Sequence, residues 1–348
     1  MGRALIGILL LALAGPTLAK TNDWTVGCDN GRACHASSLT PPASDASEWT
    51  TMHVKRGAEA NAPPLIVIVT TLEPTRLRRE GGGGTVRLIR RMRNANEQAL
   101  SLMSHKFDYQ VDSRDLKTAI AALRRDSRLV VEDARRRPVG EISLKGASAA
   151  LLYMDDIQKR VNTVTALVRR GPKSGTTMPA PPSLPIVRSA AKNIPLPFRI
   201  SATRIAALRK EIGEECDFEP SFIRSHFEES QSALDRSRTL LLIECAGGAY
   251  NSFHFVFVAT KRGGRISIAE ARFVPPEGSP PMLTRAVWNA QQGLLSSSFL
   301  GRGLGDCGEI THYVWDGRSF RRSEKREMNS ECRGSRDFIT TWRARVVR

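Results

Sequence analysis

The chain lacks almost every pattern from which catalysis is usually read. It contains no H-E-x-x-H, H-x-x-x-H or C-x-x-C spacing and no G-x-S-x-G elbow. Zinc chemistry and serine-centred hydrolysis therefore have no motif to rest on. Its histidines, His35, His53, His105, His226, His254 and His312, are scattered. Aromatic residues make up only 6% of the chain, too few for a base-stacking platform, and no nucleic-acid module is recognisable; a nucleic-acid partner is disfavoured. Acidic residues are also scarce, 35 against 52 lysines and arginines. The apolar run from Ala4 to Ala14 is too short to span a bilayer, and nothing later in the chain is long enough either. No catalytic residue, metal or cofactor is expected from these patterns.

What is present begins at the N-terminus. Arg3 supplies a positive start, Ala4 to Ala14 an apolar core, and Thr17-Leu18-Ala19 a small-x-small cleavage site. Residues 1–19 are expected to be a secretory signal peptide, with the mature chain starting near Lys20 in the periplasm. At 41% hydrophobic and 25% charged residues, the composition is that of a folded protein. The net charge is +17, and +16 without Arg3, at 51 basic to 35 acidic residues. Such a surface attracts polyanions such as lipopolysaccharide or anionic lipid, although charge runs are commonly just solvated faces.

Six cysteines remain after the leader: Cys28, Cys34, Cys216, Cys245, Cys307 and Cys332. An even count in an exported chain favours disulfides. The simplest pairing is sequential: Cys28–Cys34, Cys216–Cys245 and Cys307–Cys332. Loop entropy sets ceilings of about 2.4, 3.6 and 3.5 kcal/mol on these closures. Fifteen connectivities are possible, so the order of pairing is an expectation.

The pattern predicts an α+β, β-rich fold: two modules of mainly antiparallel sheet with a few short helices, stapled by disulfides. The first module spans residues 20–170, a proline-rich linker 171–197, and the second module 198–348. In the first, Trp49 to Lys55, Leu65 to Thr70 and Val86 to Arg90 read as strands. Asp112 or Ser113 caps a helix with Leu116, Ile120 and Leu123 on one face. A second helix runs from about Ala147 to Arg160, with Ala150, Met154, Ile157 and Val161 as its stripe and an Asp155–Lys159 ion pair. In the second module, a short helix near Ser201 to Ile212 precedes strands. Leu240 to Cys245 is apolar throughout, and Phe253, Phe255 and Phe257 share one face of the next strand. Gly263-Gly264 and Asp316-Gly317 suit hairpin turns.

Several separated stretches, taken in order, resemble one exported bacterial family. They are Asp23-Trp24-Thr25-Val26-Gly27-Cys28-Asp29-Asn30 with Arg32 and Cys34, then Gly146-Ala147-Ser148-Ala149-Ala150-Leu151-Leu152-Tyr153-Met154-Asp155. Cys245-Ala246-Gly247-Gly248-Ala249-Tyr250-Asn251 and Gly301-Arg302-Gly303-Leu304-Gly305-Asp306-Cys307-Gly308 follow. Trp315-Asp316-Gly317 with Phe320, Cys332-Arg333-Gly334 and Trp342-Arg343-Ala344 complete the set. The chain is similar to the domain-of-unknown-function family numbered 1176 over nearly its whole mature length. The opening Asp-Trp-x-Val-x-Cys also resembles the invasion-associated locus B family, over the first module alone. Both resemblances imply export, disulfides and a non-enzymatic or unassigned role, and neither carries catalytic residues. The basic stretch from Arg76 to Arg93 fits neither pattern.

Two clusters stand as candidate binding surfaces. Asp29, Asn30 and Arg32 sit on the loop between Cys28 and Cys34, presented with little entropy loss. Arg302, Asp306 and Arg333 flank the expected Cys307–Cys332 bond. Turn formation and local salt bridges are the plainer reading of both sets. Gly81 to Gly84 has no Lys-Ser/Thr after it and reads as a loop rather than a phosphate cradle. Asp155 and Asp156 diverge by about 100° on a helix and do not form an acid–base pair. The functional expectation is a periplasmic binding protein that engages an anionic envelope component or an envelope protein. An envelope hydrolase with an unrecognised site is the alternative, and a structural or stress-related envelope factor a third.

Overall fold

The computed structural model describes residues 18–40, 49–70, 86–91, 96–104, 108–213, 229–275, 281–328, 331–333 and 337–348. The apolar leader as far as residue 17, the Gly81–Gly84 run, His105, His226 and Cys216 lie outside them. The described residues are β-rich, with three short α-helices and several mainly antiparallel sheets.

The first half builds a seven-stranded antiparallel sheet. Its strands are β1 (Ala19–Thr21), β2 (Trp24–Cys28), β3 (Cys34–Ser38), β4 (Thr50–Arg56), β5 (Leu65–Thr70), β8 (Leu102–Ser104) and β9 (Asp108–Val111), in the order β1-β2-β3-β4-β5-β9-β8. A second sheet, in the order β11-β10-β6-β7, uses β6 (Val86–Arg91), β7 (Glu97–Leu100), β10 (Arg128–Asp133) and β11 (Pro138–Ser143). Alternation decides which side chains face inward. Trp24 and Val26, Met52 and Val54, and Ile66 and Ile68 point to one face, where they meet Leu88, Leu129 and Val131 of the second sheet. Helices α1 (Leu116–Arg125) and α2 (Ala147–Ile157) close this core with Ile120, Leu123, Ala150, Leu151 and Met154. Each large side chain so buried contributes roughly 1.5–3 kcal/mol. The Trp24 indole N–H does not go unmet, donating to the Ser143 carbonyl at 3.0 Å.

Asp112 caps a 3₁₀ turn, Ser113–Asp115, that runs straight into α1, its Oδ1 accepting from the Arg114 amide at 2.9 Å. Helix α2 ends at Ile157, short of the Arg160 expected from sequence. Lys159 lies past that end in a left-handed conformation at φ 59°, so the expected Asp155–Lys159 ion pair does not form. Asp155 is instead fully buried. Its carboxylate accepts from the Leu167 and Val168 amides at 2.8 Å and lies 3.7 Å from Arg56 NH1. Burial pushes its carboxyl above the usual range, against those backbone donors and the arginines. Arg160, also fully buried, donates to the carbonyls of Glu59 and Ala60 and to Gln158 Oε1.

In the second half, β14 (Arg238–Gly247) and β15 (Ser252–Arg262) are the centre of a sheet with β13 (Glu229–Asp235), β16 (Arg265–Glu270) and β18 (Met282–Thr284). The unbroken run Leu240–Ile243 makes sense because both faces of β14 are covered. Leu241 and Ile243, with Phe255 and Phe257, pack under α3 (Ala202–Glu211) through Ile205 and Leu208. Leu240 and Leu242 face the other way, onto Leu295, Tyr313, Trp315 and Phe320. Those belong to a six-stranded sheet of β17 (Phe273–Val274), β19 (Val287–Asn289), β20 (Leu294–Leu300), β21 (Gly308–Trp315), β22 (Phe320–Met328) and β23 (Ile339–Arg343). Gly263 and Gly264 both have positive φ, as the two-residue turn from β15 to β16 requires. The Asp316-Gly317 turn closes a four-residue loop, because Trp315 pairs with Phe320.

Two strands are parallel to their neighbours: β17 to β22, and β12 (Ile186–Arg188) to β24 (Arg345–Val347). Within the proline-rich stretch, then, β12 is paired with the end of the chain, and Val187 is buried. No helix among the described residues is long and apolar enough to cross a membrane.

Gly146 precedes α2 at φ 95°, and a Cβ there would sit 1.7 Å from the Thr21 carbonyl oxygen. Gly146→Ala should therefore destabilise the fold by at least about 2 kcal/mol, read as a lowered thermal midpoint. A midpoint equal to wild type would show that α2 does not start against β1.

Candidate functional site

The outer face of the first sheet carries the opposite pattern from its core face. Thr25, His35, Ser37, Thr51 and His53 are polar and nevertheless buried. What covers part of this face comes from the far end of the chain. Strand β23 lies across β2 and β3, and a Cβ on Gly27 would be 3.0 Å from Ile339 Cγ2. Glycine at position 27 is what allows this approach.

The edge of that contact is held by the loop between Cys28 and Cys34, which are disulfide-bonded at the end of the β2–β3 hairpin. Asp29 Oδ1 accepts from the Gly31 and Ala33 amides at 2.8 and 2.9 Å and so shapes the loop. Its second oxygen ion-pairs with Arg343. Asn30 grips the backbone of the same residue: Oδ1 accepts from the Arg343 amide at 2.9 Å and Nδ2 donates to the Arg343 carbonyl at 3.0 Å. Arg32 adopts φ 65°, and its carbonyl accepts from Gln158 Nε2. Asp29 and Asn30, expected as surface binders, are thus engaged within the chain, joining its two halves.

Of the second candidate set, Arg302 and Asp306 meet beside the Cys307–Cys332 disulfide, and Arg333 does not join them. Arg302 binds Asp306 with both arms, at 2.8 and 2.5 Å, and also donates to the Cys332 carbonyl. Arg333 turns towards the first sheet. Its Nε donates to the Thr40 carbonyl at 2.8 Å, and Glu331 and Asp23 lie within ion-pair range. Cys245 is likewise disulfide-bonded; Cys216, its partner by the sequential expectation, lies outside the described residues.

Beside the Asp29–Arg343 clamp opens a cleft of about 460 Å³ between β3–β4 and β22–β23. Its lining includes Lys55, Arg56, Arg326 and Arg343 together with Asp29, Glu324 and Asp337. The carboxylates are all paired: Asp29 with Arg343, Asp337 with Lys55, and Glu324 with His312 and Arg326. The hydrogen bond from His312 holds the Glu324 carboxyl below its usual range.

In the wall of the cleft the fold brings together two histidines that the sequence spaces widely. The register sets His35 opposite Lys55 and Ser37 opposite His53, so the imidazoles are diagonal neighbours on one face. His35 Nε2 and His53 Nδ1 are 2.8 Å apart, and Asp337 Oδ2 is 3.8 Å from His53 Nδ1. Thr51 Oγ1 lies 3.1 Å from His53 Nε2. Burial lowers His53 to about 4, with Asp337 opposing and Lys55 assisting. Burial, then the His53 and Lys55 charges, push His35 well below its ordinary value. Both rings are neutral near pH 7. Two neutral imidazoles and a carboxylate with donor atoms within 4.8 Å of one another could hold a metal ion. Strand alternation marked His35 and His53 as facing away from Ala36, Met52 and Val54. Without the strand order and the return of Asp337, nothing in the sequence joined them.

Fold and cleft together define a disulfide-stapled, β-rich protein whose two halves enclose a polar cleft. The chain belongs to the family described as "Protein of unknown function (DUF1176)", whose model matches residues 18–345. It is 29% identical over 189 residues to "Uncharacterized protein YpfG" of Escherichia coli (strain K12), 52% of each chain. The match spans about half the length of that curated relative. No solved structure matches. The resemblance of the opening residues to the invasion-associated locus B family is not among these findings.

A neutral buried histidine must gain a proton on unfolding wherever the pH is below about 6.5. Its stabilisation is complete above that pH and is lost as pH falls from there through about 4. The slope is up to about 1.4 kcal/mol per unit for each histidine. Thermal midpoints measured in chelator from pH 7 down to about 4 should therefore fall, and less steeply in His35→Asn. Parallel profiles would show that these imidazoles are not neutral and buried.

Proposed function

We propose that the chain is a non-enzymatic binding protein of the bacterial envelope whose inter-half cleft takes an anionic group of an envelope component. The observation that carries this reading is the lining of the cleft. Four cationic side chains face three carboxylates, each already committed to an ion pair. The lining thus carries one more cation than carboxylates, although Arg56 also lies 3.7 Å from the buried Asp155 behind the wall. This partly enclosed space presents more cationic than anionic groups to a ligand, where they are worth more than on an open surface. The paired carboxylates suit binding rather than proton transfer, since a general acid needs a carboxyl held up near neutral pH. Asp155, the carboxyl that burial does raise, is locked to the Leu167 and Val168 amides under α2. An envelope location is supported by the leader-like N-terminus and by the disulfides, which persist in oxidising compartments.

The test compares two substitutions of equal charge change by co-sedimentation with purified envelope fractions across a salt series. Arg326→Glu alters the cleft, whereas Arg265→Glu alters the exposed tip of the β15–β16 hairpin. Binding should survive about 0.3 M salt, beyond the screening regime for exposed charges. Arg326→Glu should weaken it about tenfold, the size of one lost charge-assisted hydrogen bond, and Arg265→Glu should leave it nearly unchanged. Equal losses in the two variants, or no binding at that salt, would count against the cleft.

A further inference from the structure

We propose that His35, His53 and Asp337 form a binding site for one divalent transition-metal ion, zinc foremost, in the wall of the cleft. This goes beyond the anion-binding reading and stands without it, because the three ligands come from the protein itself.

Geometry is the first support. Donor atoms on a tetrahedral zinc, with bonds of about 2.0–2.1 Å, lie about 3.3 Å apart. The observed separations of 2.8 Å between the imidazole nitrogens and 3.8 Å from His53 Nδ1 to Asp337 Oδ2 bracket that value. A shift of about half an ångström in each of these two, with the His35–Asp337 pair closing from within 4.8 Å, would admit the ion. The second support is the orientation of His53. Thr51 Oγ1, at 3.1 Å, can accept from the Nε2 proton, which leaves the Nδ1 lone pair directed at Asp337 and His35. A metal-bound histidine is commonly fixed in this way by a partner on its other nitrogen. Third, the rings are held neutral by burial, the form that coordinates metal.

Access and coordination number complete the picture. His35 and Asp337 line the cleft, whereas His53 is fully buried behind them. The ion would enter from the cleft side and keep its remaining position there for water or an anionic oxygen. Two nitrogens and one oxygen suit zinc and the divalent metals near it in affinity. Lys55 is the opposing element. Its ammonium hydrogen-bonds Asp337 Oδ2 and must release that carboxylate when the metal binds. The competing account is a self-contained network, with one imidazole donating to the other and Asp337 serving only Lys55.

The two accounts differ over Lys55, and the experiment uses that difference. The full chain with its disulfides intact is stripped with a chelator, loaded with zinc sulfate, desalted and assayed for bound zinc. Affinity is then measured by competition with a chromophoric chelator, and cobalt(II) is used for visible absorption. The site predicts one zinc per chain and a tetrahedral cobalt spectrum, both lost in His35→Asn, His53→Asn and Asp337→Asn. Thr51→Val should weaken zinc about 10–100-fold through the orientation of His53. Lys55→Met should tighten zinc about fivefold, the effect of removing a like charge beside the ion. That gain of affinity cannot arise from misfolding, so the test survives if a histidine variant fails to fold. No zinc retained by the wild-type chain, or retention unchanged across the variants, would overturn the proposal.

Discussion

The elements near the cleft answer to one demand: across β2, β3 and β4 the first sheet buries both of its faces, and one of them is polar. Taking hydroxyls and imidazoles out of water costs several kcal/mol unless each finds a partner. The sheet supplies some partners itself, through Thr51 with His53, His53 with His35, and Ser37 with the Ser38 carbonyl. The rest of the cover is imported, because Ile339 and Thr341 come from more than three hundred residues away in the chain. Holding them in place explains the loop between Cys28 and Cys34. Its disulfide fixes the backbone, Asp29 shapes the turn, and Asn30 offers amide chemistry to a strand end that would otherwise have no ladder partner there. The cleft is what remains where this cover stops.

Local patterns made the individual elements legible. Alternation identified β4 to β6, the Asp112 cap and the Leu116–Ile120–Leu123 stripe identified α1, and paired glycines identified the β15–β16 turn. Errors arose where local and tertiary chemistry compete. Asp155 sits at helical spacing from Lys159, yet the helix ends before Lys159 and two backbone amides take the carboxylate instead. Asp316-Gly317 did mark the β21–β22 hairpin, and the Asp316 carboxylate, accepting from the Arg318 and Ser319 amides, sets the width of its loop. The candidate site was the least legible part. Its ligand atoms lie on β3, on β4 and just before β23, and only the return of the chain assembles them.

The stretches that carry the family resemblance have a common physical theme. Asn30 brackets the backbone of Arg343, and Asn251 brackets that of Leu300 in the same fashion, with bonds of 2.9 Å in both directions. Asp155 and Asp316 collect free amides at a helix end and at a turn. Arg302 ties Asp306 to the Cys332 carbonyl. Such side chains stand in for missing backbone partners, and a chain of many short strands and few helices has many strand ends to satisfy. The recognisable residues are largely those that close the fold; Asp29 and Arg343 also line the cleft, whereas Lys55, Arg326 and Asp337 of its wall lie outside those stretches.

The long return of β23 also sets the order in which the molecule can be finished. Synthesis delivers the N-terminal half first, and the β2–β3 hairpin with its short disulfide loop can close before the rest of the chain is made. Its polar face must then stay wet until residues 339–343 arrive. Contacts of such large sequence separation form late and slowly. In the interval the His35–His53 face is open to solvent, to chaperones and to any ion around it. The polar face therefore cannot be covered until the chain is nearly complete, and β23 closes it.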